Sequence, residues 1–78
     1  MTIARLASFF TGRGITVESL LLQKLAEGEA TIWIRCFIER DRIRHTRNLL
    51  EKIEGILQLE LFESRGFTFI KIYKESST

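Results

Sequence analysis

The chain has no proline, one cysteine, one histidine and no apolar run long enough to cross a bilayer. Each scarcity excludes something. Cys36, being alone, cannot form an internal disulfide, so the expected compartment is a reducing cytoplasm. One cysteine and one histidine leave no Cys/His set for a metal. His45 lies in an arginine-rich stretch and Cys36 on an apolar strand face, where thiols are usually inert packing. We therefore expect no catalytic residue, no metal and no cofactor. With no proline and only five scattered glycines, there is no linker, repeat or low-complexity tract. The N-terminus lacks a signal-peptide layout, because Arg5 precedes only a short apolar stretch before Gly12-Arg13-Gly14. Those glycines follow a helical pattern rather than a strand, so they read as a helix stop and not as a phosphate loop. Net charge is also small, at +2.

What is present is a globular composition, 45% apolar and 28% charged over 78 residues. That is one domain, residues 1–78. A chain this short buries only about 60% of its unfolded surface, so association is a natural source of further stability. Arginines at 35, 40, 42, 44 and 47, with a pI near 9.0, invite a nucleic-acid reading. On charge alone, a solvated helix face is the simpler account.

Residues 2–11 read as a helix with Ile3, Leu6, Ala7 and Phe10 on one face, Thr2 as N-cap, and Gly12 or Gly14 as the stop. Residues 15–24 read as a strand and Glu27-Gly28-Glu29 as a turn. Residues 30–39 alternate clearly. Ile32, Ile34, Cys36 and Ile38 face one way; Thr31, Trp33, Arg35, Phe37 and Glu39 face the other. Residues 41–54 read as a second helix capped by Asp41 and ended by Gly55, with Ile43, Thr46, Leu50 and Ile53 along one face. Strand 56–62 sets Leu57, Leu59 and Leu61 against Gln58, Glu60 and Phe62. A hairpin loop at Glu63-Ser64-Arg65-Gly66 leads into strand 67–74.

The order is αββαββ, and two amphipathic helices on one face of an antiparallel sheet make a two-layer α+β sandwich. The aliphatic strand faces suit the helices. The other face carries aromatic residues that no helix covers, so we expect an interface built from Trp33, Arg35, Phe37, Phe67, Phe69 and Tyr73.

The run from Ile3 to Leu20 resembles the start of acetolactate synthase small subunits, which show a helix ending in phenylalanine, then Arg-Gly, then an Asn-Ile-Glu-Ser-Leu strand. Arg13-Gly14 with Val17-Glu18-Ser19-Leu20 is the most specific part. Leu50-Glu51-Lys52-Ile53-Glu54-Gly55-Ile56-Leu57-Gln58-Leu59 resembles that family's Leu-Asn-Lys-Leu followed by Val-Ile-Lys-Val. The resemblance covers residues 3–61. It implies an ACT domain of ferredoxin-like βαββαβ fold, a homodimer, a branched-chain amino-acid effector and a thiamine-diphosphate-dependent catalytic partner. Such a subunit is a non-catalytic regulator in branched-chain amino-acid biosynthesis. By this resemblance an effector would meet Thr2, Ile3, Ile15, Thr16 and Val17. Two departures weaken that site. The family's first strand and its Asn/Gly loop are missing, and Thr16 stands where the family has Asn, offering one hydroxyl in place of an amide.

Arg65-Gly66-Phe67-Thr68-Phe69-Ile70-Lys71-Ile72 supplies the rival reading. It resembles the RNA-binding motif of RRM domains, in which Phe67 and Phe69 would stack bases. Thr68, Ile72 and the lack of a following helix and strand depart from that pattern. A purely structural dimerisation domain is the third reading. The faces make one further expectation. A hairpin sets residues 67–74 antiparallel beside 56–62, with Ile70 and Ile72 toward the helices. The last strand would then fill the central place of the missing first strand, pairing with 56–62 and 31–38.

Overall fold

The computed structural model describes residues 2–25 and 28–75. The elements are α1 (Thr2–Gly12), β1 (Val17–Lys24), β2 (Glu29–Cys36), a short 3-10 turn (Arg40–Arg42), α2 (Ile43–Glu51), β3 (Ile56–Ser64) and β4 (Phe67–Glu75). The four strands form one antiparallel sheet in the order β1-β2-β4-β3. β4 therefore pairs with β3 on one side and β2 on the other, the two neighbours expected for residues 67–74.

α1 forms because Ile3, Leu6 and Phe10 recur at helical spacing. Leu6, Phe9 and Phe10 are buried. The helix stops where Gly14 takes a left-handed conformation (φ 68°). There the N–H groups of Arg13 and Ile15 donate to the carbonyl of Phe10, and that of Gly14 to Thr11. The described part of Thr2 is its helical backbone, and its expected capping side chain lies outside the described residues.

α2 differs from expectation at both ends. Asp41 sits inside the 3-10 turn and caps nothing. Arg42 precedes the helix without a side-chain cap bond. At the other end Lys52 and Ile53 bond to Leu49 and Leu50, three residues back. That tightening ends the helix at Glu51, before Gly55.

The core joins Leu6, Phe9 and Phe10 of α1 and Leu50 of α2 to Ile32, Ile34 and Cys36 of β2, Ile70 and Ile72 of β4 and Leu59 of β3. Both helices thus cover the same face of the sheet. Ile38 joins the same core from beyond the strand.

The two outer strands carry irregularities that alternation cannot reveal. β1 has an extra residue at Glu18, between the pairs Val17–Cys36 and Ser19–Arg35. β3 has one at Leu57, between Ile56–Lys74 and Gln58–Tyr73. Leu57 is consequently exposed, and Ile56 takes the inward position that was expected of it. β1 begins two residues later than expected, at Val17. β2 ends at Cys36 rather than at Glu39. Among the described residues, no helix is long and apolar enough to cross a membrane.

Candidate functional site

The outer face of the sheet is laid out in rows by strand register. One row runs Leu21, Trp33, Lys71, Glu60 across β1, β2, β4 and β3. The next runs Ser19, Arg35, Phe69, Phe62, and a third Gln23, Thr31, Tyr73, Gln58. Five of the six expected interface residues, Trp33, Arg35, Phe67, Phe69 and Tyr73, lie on strands of this face. Phe37 does not. The ladder ends at Cys36–Thr68, and the next N–H, that of Ile38, donates to the Thr68 hydroxyl at 3.3 Å instead of to a strand. Phe37 is left in the connection that follows, exposed and bordering a different cleft.

Cations and rings alternate on the face. The Lys71 ammonium lies 4.5 Å from the Trp33 ring centre and 4.8 Å from that of Tyr73. The Arg35 guanidinium lies 5.3 Å from Phe67. Phe62 and Phe69 stack at 5.3 Å with planes 12° apart. Trp33, Phe62 and Phe67 remain 38%, 49% and 36% exposed. The face can therefore offer flat apolar surface and fixed positive charge together, which suits protein contact or base stacking.

The effector residues expected from the family resemblance do not converge. Ile3, Ile15 and Val17 are half-buried and pack against the core, and Thr16 is exposed. The Thr2 side chain lies outside the described residues. Ile15 alone among them borders a cleft of about 100 Å³, with Arg13, Gly14, Phe37, Glu39 and Arg42 nearby. Arg13 is already engaged there. Its guanidinium donates to the Phe9 carbonyl at 3.2 Å and lies 3.9 Å from the Phe9 ring centre.

Three of the arginines noted in the sequence gather in a way that charge alone did not show. Arg40, Arg44 and Arg47 border one open groove of about 370 Å³ with Ile43, Leu61 and Phe62. The spacing of 40, 44 and 47 is the helical signal that could have found it. Arg47 bonds Glu51 one turn on, at 3.1 Å.

No family model matches the chain, and comparison with curated proteins and with solved structures gives no match either. Cys36 offers no reactive group, because it is buried and desolvation pushes its thiol up to about 11. Among the described residues, no three His, Cys, Asp or Glu side chains gather as a metal site would need.

Proposed function

We propose that this chain is a non-catalytic association domain of the ACT kind, binding through the outer face of its sheet. One observation carries the reading: aromatic rings and cations spread over three adjacent strands on a face that neither helix covers. The first partner is a second copy, in a homodimer. The resemblance of residues 3–61 extends the reading to a cytoplasmic regulatory subunit serving a thiamine-diphosphate-dependent catalytic subunit. Strand order supports that extension. In a ferredoxin-like sheet the first strand is central and antiparallel to both neighbours, and β4 runs so between β2 and β3. In this reading β4 takes the lane of the family's first strand. The role is assembly more than effector binding. The cleft beside Ile15 is well below the roughly 300–1,000 Å³ of ordinary ligand pockets, and Thr16 stands outside it.

A specific observation also favours RNA as a second reading. Phe67 and Phe69 lie on a central strand beside Arg35 and Lys71, as base stacking and phosphate contact require. Sedimentation and RNA titration separate the two. We expect self-association at micromolar concentration, weakened about tenfold or more by Trp33→Ala, since buried tryptophans dominate interface energy. A monomer at high micromolar concentration that binds single-stranded RNA with steep salt dependence would establish the RNA reading instead.

A further inference from the structure

The sheet has two edges. β1 carries the exposed Leu20, Leu21 and Leu22. β3, at the other edge, pairs with β4 alone. What sets β3 apart is the basic helix beside it. Arg40, Arg44 and Arg47 fall at helical spacing from the 3-10 turn into α2. They border a groove of about 370 Å³ that Leu61, Phe62 and Glu63 of β3 border as well.

Charge in the groove is unbalanced. Arg40 and Arg44 form no ion pair among the described residues. Arg47 holds Glu51, but in a half-exposed pair of the kind that contributes little and that a better-placed carboxylate can displace. Against the three guanidinium groups, the one carboxylate bordering the groove among the described residues is that of Glu63.

The hairpin fixes which backbone groups of β3 face outward. Ser64 and Phe67 close a two-residue loop, so they exchange hydrogen bonds. Alternate pairs of an antiparallel ladder do the same, which turns the N–H and C=O of Ser64, Phe62 and Glu60 toward β4. Those of Leu61 and Glu63 turn out of the sheet, where no strand of the described chain meets them.

Charge and backbone together select the occupant. A nucleic acid can meet the arginines but cannot pair as a strand with Leu61 and Glu63. An extended peptide can do both. Its side chains alternate between the two faces. Those on the helix side pass Ile43 and Leu61, which are half-buried against the core, before they reach the arginines. Glutamate fits there, with an apolar stem and a charged head. Those on the outer side lie beside Phe62, which is exposed, and an apolar residue fits there.

We propose that the β3 edge binds an extended segment of a partner protein in which glutamate alternates with apolar residues. The segment adds as a fifth strand on Leu61 and Glu63, and its carboxylates meet Arg40, Arg44 and Arg47. This contact is distinct from self-association through Trp33, although Phe62 borders both surfaces.

Titration of the isotope-labelled full chain with a capped octapeptide alternating glutamate and leucine tests the proposal. We expect saturable binding that shifts the amide resonances of Leu61 and Glu63 more than those of Phe62 and Ser64. Arg44→Glu should weaken it about tenfold or more, because like charges then face each other. The matching lysine–leucine peptide should bind that variant better than it binds the native chain. Methylating the backbone nitrogens of the peptide separates strand pairing from plain charge attraction. Only alternate N–H groups face β3, so methylation at every glutamate should abolish binding if the segment runs antiparallel, and at every leucine if it runs parallel. The other series should keep it. Absence of saturable binding up to about 1 mM peptide would overturn the proposal, as would equal effects of the two methylation series. So would a single-stranded RNA that binds more tightly than the peptide and is lost with Arg44→Glu. Any of these results would leave association through the outer face standing, because that is read by the Trp33 variant in sedimentation.

Discussion

At the scale of single residues, Thr68 matters more than its type suggests. It is 1% exposed, and its hydroxyl oxygen accepts the Ile38 N–H where β2 has stopped pairing. Thr68→Val keeps the shape and removes the acceptor. The orphaned N–H is buried, so the loss should be about 1–3 kcal/mol. Thr68→Ser keeps the acceptor and loses only a methyl group, at about 1 kcal/mol. Urea denaturation of the two variants should therefore rank Val below Ser. Equal midpoints would mean that the bond contributes nothing. The sequence displays Thr68 only as a small polar residue on an alternating strand. Its role depends on Ile38, thirty positions earlier, and on β2 ending two residues before that. No local pattern encodes such a pairing. The face occupied by Trp33, Arg35, Phe67, Phe69 and Tyr73 was legible for the opposite reason, since alternation alone fixes a face.

At the scale of elements, the β3–β4 hairpin closes on a two-residue turn. Ser64 pairs with Phe67, leaving Arg65 and Gly66 as a two-residue loop. Both have positive φ, 53° and 83°, as a type I′ turn demands. Nothing lies within 4 Å of a Cβ placed on Gly66, so Gly66→Ala suffers from backbone conformation and not from collision. It should cost about 1 kcal/mol or more. Arg65→Asn should stabilise by up to about 1 kcal/mol, because Asn tolerates the left-handed region better. Opposite shifts of the melting temperature would bear this out; shifts of one sign would show that another contact governs the turn. Gly66 made the hairpin legible. The bulges at Glu18 and Leu57 were not, because counting by twos cannot register an inserted residue. The start of α2 misled for a related reason. Asp41 is a strong capping type, yet the chain entered the helix through a 3-10 turn that carries Asp41 inside it.

At the scale of the whole molecule, β4 is the element on which the sheet depends. β2 and β3 are both antiparallel to β4 and are bonded to each other only through it. Ile70 and Ile72 of β4 are fully buried. Removing residues 66–78 should abolish cooperative unfolding in urea, and a truncated chain that kept a sharp transition would show β4 to be dispensable. The central place of β4 was legible because Ile70 and Ile72 share one apolar face and a tight hairpin sets the strand beside residues 56–62. The exposed leucines of β1 were not, since the reach of two short helices over a four-stranded sheet depends on packing rather than on sequence pattern. The position of β4 also orders events at the ribosome. β1, β2, α2 and β3 are all made before the strand that joins them. Without β4 the β1–β2 hairpin and β3 share no strand, and Ile32, Ile34 and Leu59 lose their neighbours Ile72 and Ile70. A chain without β4 is therefore the form of this domain most open to misassembly.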